Sequence, residues 1–98
     1  MSVASVILDQ LGGNKFRAMT GAKSFVDCGN ALMFMLPTRS AQKGINKVRI
    51  TLTPLDEYDI EFYKVLGVHV TLIAEAKGIY GYQLQEVFKN HTGLDTHL

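Results

Sequence analysis

The sequence predicts an α+β fold: a single small domain built on an antiparallel β-sheet of about 5–6 strands, with a short N-terminal helix and a C-terminal helix. Three observations lead there. The middle of the chain alternates polar and apolar side chains in short runs separated by Gly-, Pro- and Asn-containing turns. The two ends repeat apolar residues at helical spacing instead. Finally, 98 residues with 47% apolar content suit one modest core, so 1–98 reads as one domain.

Val3, Val6, Ile7 and Leu11 recur along one helical face, with Ser2 as N-cap and Gly12-Gly13 as the stop, which predicts a helix over 3–11. Its apolar stripe suits either the core or a partner surface. In KFRAMT, Phe16, Ala18 and Thr20 alternate with Lys15, Arg17 and Met19, which predicts a strand over 14–20 ended by Thr20-Gly21. Residues 23–28 read as a weak edge strand. ALMFMLP is apolar on both faces and predicts an interior strand, 31–36, ended by Pro37. TRSAQKGIN, 38–46, is the longest loop.

NKVRITLT points Val48, Ile50 and Leu52 inward. After the Pro54-Leu55-Asp56 turn, EYDIEFY does the same with Tyr58, Ile60 and Phe62. A hairpin of 47–53 with 57–63, with Thr53 opposite Glu57, places Arg49 against Glu61 and Thr51 against Asp59, pairs that help fix register. A further strand is expected at 68–76. Tyr80, Leu84, Val87, Phe88 and His91 then mark a helix over 80–92 with Gly93 as its C′ residue.

The net charge of +1 conceals an asymmetry. Residues 1–50 hold seven cations against Asp9 and Asp27, a net +5; residues 51–98 hold three cations against seven acids, a net −4. Such a split offers a basic surface to an anionic partner, or lets the two halves neutralise each other. The run LGGNKFRAMTGAK has three glycines, three cations and no acid. It lacks the G-x-x-x-x-G-K-[ST] order of a nucleotide loop, and its glycines follow a helix where a dinucleotide fingerprint would precede one. Lys15, Arg17 and Lys23 from this run, with Arg39 and Lys43 from the long loop, are the candidate nucleic-acid contacts, DNA being the expected partner. Arg49 is expected to be occupied by its cross-strand acid.

The four acids of DEYDIEFYK have no histidine at ligand spacing and read as a solvated face. His69, His91 and His97 are scattered, Cys28 reads as a small buried apolar residue, and no serine sits in a nucleophile elbow. The expectation is a protein that is not an enzyme and takes no cofactor or metal. Among the tyrosines, Tyr63 lies on the polar face and could stack a base, while Tyr58 and Tyr80 are expected in the core. One cysteine, no run long enough to span a bilayer and no secretory leader in MSVASVILDQL make cytoplasmic residence the expectation. A sheet with open edges invites self-association, and 23–28 is the expected edge for a homodimer.

The segments LGGNKFRAMTGAKSF, ALMFMLP, GINKVRITLTPLDEYDIEF and GIYGYQLQEVFKNHTGLDT resemble a family of small bacteriophage and mobile-element proteins, over about residues 11–98. That resemblance implies an accessory protein in the cytoplasm of a bacterial host and carries no catalytic or binding residues with it. The chain departs from the family pattern at Gly81-Tyr82, where an alanine–acid pair is expected to open the last helix. Besides DNA, the other expected partner is a host or defence protein, bound as an inhibitor or modulator through the N-terminal helix or the acidic 56–61 edge.

Overall fold

The apolar residues of both helical ends and of the alternating middle converge on one core. The computed structural model describes residues 2–37 and 40–94. Its elements are α1 (Val3–Leu11), α2 (Asn14–Thr20), β1 (Lys23–Asp27), β2 (Ala31–Met35), a 3₁₀ turn (Gln42–Gly44), β3 (Lys47–Leu52), β4 (Tyr58–Leu66), β5 (His69–Ile79), a second 3₁₀ turn (Gly81–Gln83) and α3 (Leu84–Thr92). The five strands form one antiparallel sheet in sequential order, β1 to β5. The result is a compact α+β domain. One sheet face, with Leu32, Phe34, Val48, Ile50, Tyr58, Ile60 and Phe62, packs with Ile7 and Leu11 of α1, Phe16 of α2, and Leu84 and Phe88 of α3. The apolar stripe of α1 is therefore core rather than a docking surface.

The hairpin register is the expected one. Arg49 pairs with Glu61 and Thr51 with Asp59, and the Thr53 N–H donates to the Glu57 carbonyl at 2.8 Å. Ser2 caps α1 by accepting from the Ser5 N–H at 3.1 Å.

The segment expected as a strand over 14–20 is helix α2, which leaves five strands instead of six. Burial explains the difference. Phe16 and Thr20 are buried while Ala18 between them is exposed, a four-residue repeat that a strand cannot produce. The Thr20 hydroxyl donates to the Phe16 carbonyl at 2.8 Å and accepts from the Ala22 N–H at 3.1 Å. Gly21 follows in the left-handed region, φ 72°, and donates to the Arg17 carbonyl at 2.9 Å.

α3 ends on the same device. Thr92 bonds the Phe88 carbonyl and the Leu94 N–H at 2.8 and 3.2 Å, and Gly93 adopts φ 76°. Phe-x-x-x-Thr-Gly thus closes two helices, and the two phenylalanines meet edge-to-face at 5.2 Å.

The last helix starts later than expected, because a single 3₁₀ turn occupies 81–83 before α3 begins. Tyr80 caps that turn and is 48% exposed, so it stands outside the core that was expected to hold it. Tyr58 is buried as expected. Cys28 is half-buried, with its thiol 3.8 Å from the Val26 carbonyl. Among the described residues, no helix is long and apolar enough to cross a membrane.

Phe16→Ala should destabilise the domain by about 3–5 kcal/mol, the range for deleting a fully enclosed aromatic ring; denaturant unfolding measures it. Gly21→Ala should cost about 1–2 kcal/mol from the left-handed backbone alone. A Cβ there would also lie 2.9 Å from the Pro37 ring. The reading is a fall in thermal midpoint of roughly 4–8 °C per kcal/mol.

Candidate nucleic-acid interface

The sheet's second face is laid out in transverse rows by the pairing register. Lys23, Met35, Lys47, Tyr63 and Leu72 form one row from β1 to β5. Val26, Met33, Arg49, Glu61 and Glu75 form the next. Ala31, Thr51 and Asp59 continue in the same direction. Charge therefore changes sign along the strands.

The first row lies at the sheet end formed by the start of β1, the end of β2, the β2–β3 connection, the start of β3, and the turn between β4 and β5. No acid occurs between Asp9 and Asp27, between Asp27 and Asp56, or between Glu61 and Glu75. These acid-free stretches supply that end of the sheet. Lys23, Lys43, Lys47 and Lys64 all sit there. The other end carries Asp27, Asp56, Glu57, Asp59, Glu61 and Glu75, with Lys77 among them.

Local structure fixes the basic end. Asn46 locks the β2–β3 connection to β4: its amide donates to the Val65 carbonyl at 2.9 Å, and its carbonyl oxygen accepts from the Val65 N–H at 2.8 Å. Lys64 lays its stem over Gly44, whose added Cβ would sit 3.2 Å from Lys64 Cδ and Cε. Gln42 packs against Gly93 just past α3. Lys43 itself adopts φ 58° and is exposed.

The predicted contacts fare unequally. Lys23 and Lys43 are exposed and reach the basic end. Arg39 lies outside the described residues. Lys15 and Arg17 were expected to share a strand face; on α2 they are separated by roughly 200° around the axis. Arg17 instead places its guanidinium 4.7 Å from the centre of the Phe25 ring, a cation–π contact that ties α2 to the β1 edge. Lys15 is exposed on the other flank.

Lys47 and Lys64 were not among the predicted contacts. The hairpin register pointed to Lys47, since extending it by one pair sets that residue beside Tyr63. Lys64 needed the further knowledge that β4 runs on to Leu66. Arg49 fills the space between the two charge regions: it donates to Thr51 Oγ1 at 3.5 Å and to Met33 Sδ at 3.7 Å, with Glu61 opposite.

Tyr63 is half-buried on this face, next to Lys47. Burial raises its pKa, the neighbouring Glu61 and then Glu75 raise it further, and Arg49 opposes them. Burial likewise raises Tyr58, with the Asp56 charge adding to it. Among the described residues, no group of three or more His, Cys, Asp and Glu side chains gathers as metal ligands do.

The chain matches no protein-family model, no curated protein and no solved structure.

Both raised tyrosines favour the neutral phenol in the folded protein. Their stabilisation is complete below the unfolded value of 10.0 and disappears as pH climbs through the higher folded values. Phenolic absorbance should therefore show a component titrating above pH 10.0. Tyr58→Phe and Tyr63→Phe should each remove part of it and flatten the alkaline loss of stability.

Proposed function

We propose that this is a non-enzymatic accessory protein of a phage or mobile element, acting in the bacterial cytoplasm, that binds DNA through the acid-free end of its sheet. The observation that carries the binding reading is that Lys23, Lys43, Lys47 and Lys64, from three chain segments, gather at one end of the sheet, where the chain contributes no acid of its own and Glu61 reaches in only beside Tyr63. Clustered cations attract the phosphate backbone and release its counterions. Tyr63, beside Lys47 in the same row, offers a ring for a base exposed in a single strand. Affiliation with a phage or mobile element rests on the sequence resemblance alone.

A second reading, in which the protein modulates a host or defence factor by direct contact, is favoured by a different observation. Tyr80 and Tyr82 stack at 5.9 Å with 13° between their rings, 48% and 84% exposed, where β5 leaves the acid-rich end. Exposed aromatic pairs are common anchors in protein interfaces.

Titration into short single-stranded and duplex DNA should show binding whose log K falls linearly with log salt. Lys23→Gln, Lys43→Gln, Lys47→Gln and Lys64→Gln should each lower affinity and reduce the slope by about 0.9 for a lost phosphate contact. Lys77→Gln, at the acidic end, should change neither. Absence of binding at low salt overturns the DNA reading and leaves the tyrosine pair as the surface to pursue.

A further inference from the structure

The sheet face turned away from the helices alternates charge with apolar surface. Its first row, Lys23, Met35, Lys47, Tyr63 and Leu72, crosses all five strands. Cation and apolar side chain take turns from β1 to β4, one strand spacing of about 4.8 Å apart. Lys23 and Leu72 are exposed, and Met35, Lys47 and Tyr63 are half-buried. Glu61 and Glu75 stand in the next row on β4 and β5, with Glu61 beside the Tyr63 phenol.

At β1 the face is interrupted. From Lys23 to Val26 the strand takes three steps where β2 takes two, from Met35 to Met33, and Ser24 adopts φ 57°. The extra residue is a bulge, and it blunts this edge against pairing with a second copy. Beside it lies a depression of about 200 Å³ whose lining includes Ser24, Val26, Met33, Met35 and Lys47. That exceeds the roughly 150 Å³ that holds a benzene ring. Two thioethers and a valine thus border a ring-sized space with an ammonium group next to them.

We propose that the DNA bound at this end is single-stranded and lies across the β-strands along the first row, with one base in the depression beside the bulge, another on the Tyr63 ring, and phosphates against Lys23 and Lys47. This rests on the DNA reading and narrows it to one class of ligand. A single strand alternates anionic phosphates with base faces free to stack, which matches the alternation of the row. A duplex turns its phosphates outward and keeps its base faces inside. Nor does this face fit a groove: five strands cover four spacings, about 19 Å, against a major groove about 12 Å wide. Laid on a duplex, Met33, Met35 and Tyr63 would strip water from phosphates and give nothing back. Glu61 and Glu75 repel a backbone that strays toward the second row, so the acids define one side of the track.

The full chain, titrated at low salt with a labelled thymidine homopolymer and with a blunt duplex of equal length, should bind the homopolymer at least about ten-fold more tightly. Tyr63→Ala should weaken that binding by at least about five-fold, the low end for one lost stacked base, without changing the salt slope, and Tyr63→Phe should retain it. Met35→Ser should likewise weaken binding at constant slope, whereas Lys47→Gln should lower the slope by about 0.7. Circular dichroism checks that each variant is folded. A homopolymer carrying iododeoxyuridine should cross-link under near-ultraviolet light to Tyr63, Met33 or Met35. Duplex bound as tightly as the single strand, indifference to both Tyr63→Ala and Met35→Ser, or cross-links confined to other residues overturns the single-strand proposal and leaves the DNA reading standing. Binding of neither DNA at low salt overturns both.

Discussion

The fold depends on one cluster of phenylalanines. Phe16 of α2 sits edge-to-face with Phe34 of β2 at 5.4 Å and with Phe88 of α3 at 5.2 Å, and Phe34 and Phe88 lie 6.2 Å apart. A chain without tryptophan places three of its four fully buried phenylalanines at this junction, where segments over fifty residues apart in sequence meet. Phe25 extends the cluster to the β1 edge through Phe34 at 5.4 Å, and Arg17 closes over it from outside. With the helices held on that side of the sheet, the opposite face is left to present charged and thioether side chains to solvent.

Where period-2 patterning runs for six or more residues and one face is buried, the sequence dictates register. Val48, Ile50, Ile60 and Phe62 exclude a one-residue slip of the β3–β4 hairpin, because it would turn the slipped strand's inward residues to solvent. The failure at 14–20 has an equally local cause. KFRAMT is compatible with both periods, and a seven-residue helix offers too few turns for its own period to stand out. The signal that separates them lay elsewhere in the chain. FRAMTG at 16–21 and FKNHTG at 88–93 share a Phe four residues before a Thr-Gly pair, and the second was already legible as a helix terminus.

The same misassignment controlled how much of the candidate interface could be read. Treating Lys15 and Arg17 as neighbours on a strand joined two cations that the helix separates, and it hid the engagement of Arg17 with Phe25. Lys47 was within reach of the hairpin register, whereas Lys64 came into view only through the true length of β4 and the Asn46 latch, a side chain that substitutes for a rung of the ladder and carries no pattern in sequence. Tyr80 illustrates a third limit. Its spacing from Leu84 fits a helical stripe, but the chain enters α3 through a 3₁₀ turn with tighter winding, which swings the ring out beside Tyr82.

The opposed charge at the two ends of the sheet gives the molecule an electric dipole aligned with its strands, even though its net charge is only +1. A body of this kind feels little net pull in a uniform field, yet that field exerts a definite torque on it. Near any polyanion it turns its lysine-bearing end forward before contact, over a range set by the ionic atmosphere, about 8 Å at physiological salt. Approach is thereby oriented by long-range forces, and short-range contacts need only hold what has already been aligned.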